Sequence, residues 1–145
     1  MNGIGMLRQI LQRMIKLTKN FNKKIPSWES ILNNFNDSFL NNELIKNNNN
    51  NFFVSHNAKN ILEVKKVLKK LKLKEAHLYL NICTSNTFGR HKDSMDVYFW
   101  QVQGRTKWQF DNINYTLNPG DLIYVPKETY HNVIPLGPRA GISMS

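Results

Sequence analysis

Apolar residues in the first half of the chain recur at the three- to four-residue spacing of amphipathic helices. This spacing predicts one helix over residues 4–15, a second that begins after Ser27 as its N-cap, and a third over residues 61–71. The consecutive residues Asn47 to Asn51 predict an exposed loop between the second and third helices. The apolar side of the first helix can pack on a second copy of the chain, so we expect that a homodimer can form.

The second half of the chain has a different pattern, in which short apolar runs are separated by turn residues. These runs predict strands over residues 76–82, 96–103, 105–110, 114–117, 121–125, 131–135 and 140–145. So many strands in so short a segment exclude a parallel sheet, because each parallel crossover needs about a dozen residues. The pattern predicts a mainly β protein of the α+β type, a small antiparallel sandwich or barrel with the N-terminal α-helices packed on it.

The composition is that of a globular protein with one domain. The chain has 145 residues, of which 41% are hydrophobic and 21% are charged. No apolar run approaches the roughly 20 residues that span a bilayer, and the N-terminal residues lack a secretory pattern. The single cysteine, Cys83, excludes an intramolecular disulfide. We therefore expect a cytoplasmic, intracellular protein that does not contact a membrane.

Positive charge is concentrated in one part of the sequence. Residues 1–74 hold 14 basic and 4 acidic residues, a net charge of +10, whereas residues 75–145 are neutral overall. We expect one compact domain with a basic helical N-terminal region, residues 1–74, and a β-rich core, residues 75–145. The lysines of the first region can form solvated helix surfaces, or they can bind an anionic partner such as nucleic acid or an acidic protein.

His91, Asp93 and His131 form a candidate metal site. His91 and Asp93 lie two positions apart before a predicted strand, so their side chains project to the same side and can hold one ion together. The imidazole of His131, at the start of another predicted strand, can complete a set of two histidines and one carboxylate. Such a set leaves metal positions open for oxygen and a chelating co-substrate, as in non-haem Fe(II) oxygenases.

Two longer segments and one histidine carry a family resemblance. They are TFGRHKDSMDVYFWQVQGRTKW (residues 87–108), LNPGDLIYVP (residues 117–126) and His131, within a stretch of roughly residues 75–145. In this order they resemble the Jumonji-C-like cupins, oxygenases dependent on Fe(II) and 2-oxoglutarate, and in particular the ribosomal-oxygenase branch. The resemblance implies a double-stranded β-helix, the cupin jellyroll. It also implies that His91, Asp93 and His131 are catalytic Fe(II) ligands, with 2-oxoglutarate as co-substrate and O2 as oxidant.

The resemblance further implies a cation for the distal carboxylate of 2-oxoglutarate. The family commonly supplies it two residues after the glycine that ends a strand, but Thr106 occupies that position here. Arg139 is the best substitute, because the run from Arg139 to Ser143 resembles the Arg-x-x-x-Thr/Ser strand of other 2-oxoglutarate oxygenases. A buried carboxylate without such a partner would be costly. The expected co-substrate residues are Arg139, Ser143, Thr106, Thr87, Tyr79 and Asn81.

Three functions remain open at this point. The favoured one is a hydroxylase that couples 2-oxoglutarate decarboxylation to C–H hydroxylation of a protein or small-molecule substrate. The second is a metal-binding cupin without 2-oxoglutarate, an isomerase or a cleaving dioxygenase, because Thr106 departs from the family pattern. The third is a non-enzymatic basic binding module. For the first function, the resemblance implies a protein substrate, such as a ribosomal or other nucleic-acid-associated protein.

Overall fold

Two antiparallel sheets form the frame of the protein. The computed structural model describes residues 14–46, 51–84 and 87–145. Within these ranges the helices are α1 (Trp28–Leu40) and α2 (Leu62–Leu71). The strands are β1 (Lys16–Thr18), β2 (Leu44–Lys46), β3 (Phe52–Ser55), β4 (Ala76–Asn81), β5 (Val97–Gln103), β6 (Thr106–Gln109), β7 (Asn114–Leu117), β8 (Leu122–Val125), β9 (Asn132–Pro135) and β10 (Arg139–Met144).

The strand order shows how the chain forms a jellyroll. The large sheet has the order β1-β8-β5-β10-β4-β3-β2, and the small sheet has the order β7-β6-β9. The chain crosses from the large sheet to the small one between β5 and β6, and again between β8 and β9. Side chains from both sheets meet in one buried cluster of Phe99, Trp108, Leu117, Ile123, Val125 and Val133. The prediction of a mainly β, cupin-like jellyroll with packed helices is confirmed.

The two helices cover the outer face of the large sheet. Ile31 of α1 and Val64 of α2 are completely buried there. They belong to a second cluster, whose sheet residues include Leu78, Leu80, Trp100, Ile142 and Met144. Ser27 caps α1 as predicted, because its hydroxyl accepts a hydrogen bond from the Ser30 amide at 3.1 Å. In the part of the chain that the structure describes, neither helix is long and apolar enough to cross a membrane.

Three strands come from the region for which the sequence predicts helices. β1, β2 and β3 precede residue 74 and extend the large sheet at both of its ends. β3 is buried throughout, so its sequence has no alternation that separates a strand from a buried helical turn. β1 pairs with β8, placing Lys16 opposite Tyr124, and such a distant pairing leaves no local pattern. The prediction of a helical region before residue 74 is therefore wrong at these strands.

Two of the predicted segments fall outside the described ranges. The predicted helix over residues 4–15 lies almost entirely in residues 1–13, and Asn47 to Asn50 belong to the second undescribed range. The last asparagine of that run, Asn51, is described and lies just before β3, in a bend. β2 and β3 on either side of the run pair as antiparallel neighbours.

An N-terminal strap, residues 14–26, is fastened to the turn before β8. Asp121 in that turn is 2% exposed and accepts hydrogen bonds from Lys19 Nζ, the Asn20 amide and the Asn118 amide, each at 2.9 Å. Burial alone would raise the pKa of the Asp121 carboxyl, but these donors and the Lys19 charge together hold the pKa below its usual value. The strap therefore rests on a buried carboxylate with a complete set of partners.

Gly104 forms the tight turn between β5 and β6. Its φ is +66°, a left-handed conformation, and a Cβ atom built there would lie 2.1 Å from the carbonyl oxygen of Pro138. Only glycine fits this turn, because both the backbone conformation and the space exclude a side chain. The close approach fixes the start of β10, and hence Arg139, against the end of β5.

Candidate active site

The two predicted histidine ligands lie on adjacent backbone segments. His91 and His131 form an isolated antiparallel bridge, in which the His91 amide donates to the His131 carbonyl at 2.9 Å and the reverse bond is 2.8 Å long. Residues directly opposite each other in such a pair have their side chains on the same face. The two imidazole rings are accordingly 4.4 Å apart, centroid to centroid. Residues 40 positions apart in sequence thus reach one point.

Backbone carbonyls orient both imidazole rings. Nδ1 of His91 lies 2.8 Å from the carbonyl oxygen of Gly89, and Nδ1 of His131 lies 2.8 Å from that of Thr129. Because a carbonyl oxygen only accepts, each Nδ1 carries the proton and each Nε2 presents a lone pair. This is the arrangement in which histidines bind metal ions, with the second nitrogen held by a neighbouring acceptor.

Asp93 brings a carboxylate to the same point. Its Oδ1 is 3.9 Å from Nε2 of His91, and its Oδ2 is 3.5 Å from Nε2 of His131. The ligand atoms of the three residues all lie within 4.8 Å of one another, the one such group among the described residues. The backbone next to the carboxylate is fixed, because the Asp93 carbonyl accepts a 2.7 Å hydrogen bond from the Glu128 amide.

The two histidines differ in their exposure. The His131 side chain is 4% exposed and that of His91 is 30% exposed. Burial lowers the pKa of His131 below its usual value, despite the opposing effects of the Thr129 carbonyl and Asp93. His131 is therefore neutral at physiological pH, as a metal ligand must be. The indole of Trp108 stacks on its ring at a centroid distance of 5.4 Å, which restricts rotation of the imidazole.

A cavity of about 120 Å³ extends from this cluster into the space between the sheets. This volume suits a small molecule rather than a peptide segment. Aromatic and aliphatic side chains form most of its wall. The cavity residues outside the triad are Phe52, Tyr79, Thr87, Phe88, Val97, Phe99, Trp108, Val133, Arg139 and Ser143.

Arg139 contributes a buried positive charge to the cavity. The residue is 1% exposed, and its Nε donates a 2.6 Å hydrogen bond to Oδ1 of Asn81. Its Nη1 is buried and has no hydrogen-bond partner among the described residues, and no carboxylate there forms an ion pair with it. Burial lowers the pKa of Arg139 to about 9, which leaves the guanidinium charged at neutral pH. A buried cation without an anion is costly.

Two phenylalanine rings flank this guanidinium. Its carbon lies 5.7 Å from the ring centroid of Phe52 and 5.8 Å from that of Phe99, at cation–π distance. Gly141 on β10 makes room for the second ring, because a Cβ atom built there would lie 2.1 Å from Cζ of Phe99. The rings offer weak attraction and keep water away, but they supply no hydrogen-bond acceptor. The polar atom that Nη1 lacks must therefore come from a ligand or water.

Four of the six predicted co-substrate residues line the cavity and two do not. Arg139, Ser143, Tyr79 and Thr87 line the cavity. Within it, burial is the chief cause that raises the pKa of the Tyr79 phenol. The Thr87 hydroxyl donates to the Val133 carbonyl at 2.8 Å. Asn81 lies behind Arg139 and holds it, so it contacts the cation rather than the cavity.

Thr106 is the second predicted residue, after Asn81, that does not line the cavity. Its hydroxyl donates to Oε1 of Gln101 at 2.8 Å and accepts from Nε1 of Trp108 at 3.2 Å. The Gln101 amide in turn donates to the carbonyls of Gln103 and Gly104. The hydroxyl of Thr106 is thus engaged in a buried network that supports the β5–β6 turn and the indole.

Sequence reasoning missed Phe52 and Phe99, the rings beside Arg139. Phe99 could have been predicted, because alternation along the predicted strand puts it on the same face as Val97, and both line the cavity. Phe52 gave no such signal. It follows the asparagine run in a segment that has no alternation, and it reaches the cavity only because β3 pairs with β4.

Comparisons with known proteins agree with this fold. Residues 51–116 match the model of the JmjC domain family. The structure of YcfD, a ribosomal oxygenase from Escherichia coli, in complex with cobalt and 2-oxoglutarate superposes with a TM-score of 0.70 at 17% sequence identity. The match covers 99% of this chain and 51% of that one. YcfD with cobalt and succinic acid gives a TM-score of 0.71 at 16% identity, over 100% of this chain and 51% of that one.

A smaller protein matches over most of its own length. A cupin superfamily protein from Desulfitobacterium hafniense has a TM-score of 0.54 at 16% identity, covering 88% of this chain and 94% of that one. No curated protein sequence matches the chain significantly. The chain thus has a cupin-like fold, and residues 51–116 match the JmjC domain family model, so the predicted resemblance is confirmed. It spans about half the length of the ribosomal-oxygenase structures that it matches.

Proposed function

We propose that this protein is an oxygenase dependent on Fe(II) and 2-oxoglutarate. The observation that carries the proposal is the buried, incompletely paired guanidinium of Arg139 in the same cavity as His91, Asp93 and His131. A metal-binding cluster at one place and an uncompensated cation at another suit a ligand that chelates metal and carries a second anionic group. 2-Oxoglutarate has both features.

The donor set suits iron. Two imidazoles and one carboxylate, gathered on one side of a possible ion, match the facial triad of non-haem Fe(II) oxygenases. When bound, the iron would supply the redox chemistry with O2 that protein side chains cannot perform. His91 and His131 contribute rings whose tautomers are already set, so binding requires little reorganisation of the protein.

The Arg139 end of the cavity suits a carboxylate. The free Nη1 can donate to one carboxylate oxygen, and the Ser143 and Tyr79 hydroxyls lie in the same cavity to donate to another. Asn81 keeps the guanidinium in position during binding, since it already holds Nε. The phenylalanine rings exclude water, which strengthens the attraction between the guanidinium and an anion.

The proposed overall reaction balances without another redox partner. A substrate C–H bond, O2 and 2-oxoglutarate give a C–OH bond, succinate and carbon dioxide, so one oxygen atom enters the substrate and the other enters succinate. Asp93 is the most exposed residue of the triad, at 41%, whereas His131 is 4% exposed. We therefore infer that the substrate approaches from the side of Asp93 and Phe88, whereas the co-substrate lies towards Arg139.

The proposed substrate is of the same class as the partner expected from the sequence. We propose a protein side chain as the substrate, because YcfD, which shares this fold, is a ribosomal oxygenase. The positive charge of this chain would be attracted to the nucleic acid that a ribosomal or other nucleic-acid-associated protein binds. The proposed setting is the cytoplasm.

A second candidate is a metal-dependent cupin that does not use 2-oxoglutarate. Thr106 favours it, because the position at which the family commonly places a cation is neutral and its hydroxyl is engaged with Gln101 and Trp108. In that case the anion beside Arg139 would be part of a different substrate.

An anaerobic titration separates the two candidates. Metal-free protein is titrated with Fe(II) and then with 2-oxoglutarate while visible absorbance is recorded. We expect a weak charge-transfer band only when both are present, because chelation by the keto acid requires an open Fe(II) site. Arg139→Met should abolish the band at low 2-oxoglutarate concentration, and the exposed-site control Arg105→Met should retain it. Iron binding without the band would support the second candidate, and absence of metal binding would overturn both.

A further inference from the structure

We propose that the outer face of the large sheet, beside the end of α2, binds single-stranded nucleic acid. The surface consists of Phe21, Tyr98 and Tyr124 with the lysines around them, and we call it the tyrosine–lysine surface. It is separate from the cavity and plays no part in the oxygenase reaction. The proposal rests on the position of the aromatic rings, on the charge around them and on the shape of the groove that they line.

The tyrosine–lysine surface lies on the opposite face of the sheet from the candidate active site. Val97 and Phe99 on β5 point into the cavity. Tyr98 lies between them, so strand alternation directs it to the other face. There it lines a groove of about 710 Å³ together with Phe21 and Tyr124. A ligand in this groove would leave the cavity accessible.

A row of side chains crosses three neighbouring strands in this groove. Lys16 of β1 lies opposite Tyr124 of β8, and Tyr124 lies opposite Tyr98 of β5. Residues paired in this way share one face of the sheet. The tyrosine rings are 4.9 Å apart, centroid to centroid, and both side chains are half-buried. Partly exposed rings beside a cation are a platform on which nucleic-acid bases can stack.

The end of α2 adds positive charge at the edge of the groove. Lys69 and Lys70 lie in its last turn, and Leu71 beside them lines the groove. Nζ of Lys70 is 4.8 Å from the ring centroid of Phe21, which connects the helix to the strap. Residues 59–74 contain seven lysines and one glutamate. Of these lysines, Lys59 is the one that forms an ion pair within the described ranges, so the charge of the others is not neutralised.

The combination of groups favours a single strand over other anionic partners. Lysines alone would attract any acidic surface, but exposed rings gain from a partner with flat, accessible faces of its own. In a duplex the base faces are stacked on each other, and an acidic protein segment offers no such faces. Asp96, which contacts Tyr124, bounds the surface at one end and would repel a phosphate there. The backbone of a strand would therefore lie towards Lys16 and Lys70.

The test is a fluorescence anisotropy titration of the full chain with a labelled oligouridylate of about 12 nucleotides. We expect micromolar affinity at low salt, and an affinity that falls steeply as salt rises. The double variant Lys69→Gln/Lys70→Gln should bind about tenfold more weakly, with a salt slope shallower by roughly 1.4, the release expected for two phosphate contacts on a single strand. Its 2-oxoglutarate turnover should be unchanged.

A matched control variant loses the same amount of positive charge from a different part of the protein. Arg105→Gln/Lys107→Gln also loses two positive charges, but from the region of the small sheet, and it should bind the oligonucleotide almost as well as the unaltered protein. An equal loss of affinity in the two double variants would overturn the proposal, because net charge alone would then explain binding. The same conclusion would follow if polyglutamate of equal charge displaced the oligonucleotide with equal affinity.

A pair of substitutions at Tyr98 tests stacking. Tyr98→Phe retains the ring and should bind as the unaltered protein does, whereas Tyr98→Leu should bind about tenfold more weakly. Circular dichroism and thermal melting verify that both variants are folded. Equal affinity of the two variants would overturn the stacking role. Sedimentation without oligonucleotide tests whether a second copy of the chain covers the surface instead. A dimer that Tyr98→Leu converts to a monomer would show that it does, and would overturn the proposal.

Discussion

Asp121 and Arg139 are both buried and both charged, but their surroundings differ. Asp121 accepts three hydrogen bonds at 2.9 Å, one of them from the ammonium group of Lys19. Arg139 has the Asn81 amide oxygen, two aromatic rings and an Nη1 without a partner in the described part of the chain. The first charge is compensated by the fold itself and holds the strap in place. The second is not, which is why we propose that a ligand binds there.

This difference gives a criterion that separates structural buried charges from ligand-binding ones, which burial alone does not. A buried ionised group that the protein fully pairs contributes to stability, whereas one that the protein leaves partly unpaired costs free energy until an external partner arrives. The cost is tolerated where binding recovers it. Five predictions follow, taken from the largest expected effect to the smallest.

The largest effect is expected at the triad of His91, Asp93 and His131. Asp93→Ala removes the carboxylate of the triad and should lower metal-dependent turnover of 2-oxoglutarate by about a thousandfold or more, because two imidazoles do not hold the ion tightly. Succinate formation is the measurement. Asp111→Ala, which removes an exposed carboxylate paired with Arg90, is the control and should be fully active. Full turnover in Asp93→Ala would exclude the triad as the metal site.

Arg139→Met tests the uncompensated charge. The substitution should weaken 2-oxoglutarate binding by about a hundredfold or more, because the carboxylate loses its buried cation. It should also raise the free energy of unfolding of the ligand-free protein by about 1–2 kcal/mol, since an apolar side chain replaces an unpaired charge. Calorimetric titration and chemical denaturation measure the two effects. A variant that is both less stable and unchanged in affinity would show that Arg139 is structural.

Asp121→Asn tests the compensated charge and should have the opposite effect on stability. We expect the free energy of unfolding to fall by about 2–4 kcal/mol, because an amide cannot satisfy the three donors around it. Asp111→Asn, on an exposed residue, should change it by less than about 0.5 kcal/mol. The affinity of Asp121→Asn for 2-oxoglutarate should be unchanged as long as the protein is folded.

The pH dependence of Asp121→Asn follows from the same contacts. The pKa of Asp121 is lower in the folded protein than in the unfolded chain, so its contribution is fully present above the unfolded pKa and is lost as pH falls through the folded pKa. The stability difference between the unaltered protein and Asp121→Asn should therefore shrink as pH falls below about 4. A difference that stays constant in this range would show that charge is not the source of the stabilisation.

The smallest effect is expected at Thr106. Thr106→Val removes a hydroxyl that is engaged with Gln101 and Trp108, so 2-oxoglutarate affinity should change by less than about threefold, and stability should fall by about 1 kcal/mol. Calorimetric titration and denaturation again give the two values. A tenfold loss of affinity would instead assign the hydroxyl to the co-substrate, as expected from the sequence.

The triad could be predicted from sequence because its geometry is mostly local. His91 and Asp93 are two residues apart, and His131 lies just before a strand that turn residues delimit well. The core strands were predictable for the same reason, since β7 has the predicted boundaries and the other core strands differ by one residue at one or both ends. In each case the signal is alternation next to a turn, which a few neighbouring residues determine.

The surroundings of Arg139 could be predicted only in part, because they depend on strand pairing. That Arg139 faces the cavity follows from alternation, but its contact with Asn81 requires the register between β10 and β4. Phe52 adds a further pairing, between β3 and β4, in a segment whose burial removes the alternation. Thr106 shows the limit of analogy, since the resemblance identifies the position but cannot show that its hydroxyl is already engaged.

The position of β10 has a consequence for synthesis of the protein. It follows every other described strand in the chain, yet it lies between β4 and β5 and pairs with both. While a ribosome makes the earlier strands, β4 and β5 each have an unpaired edge, and such edges can associate with other chains. Arg139 emerges with β10, after the three residues of the triad. The cavity therefore acquires its buried positive charge only in the step that closes the large sheet.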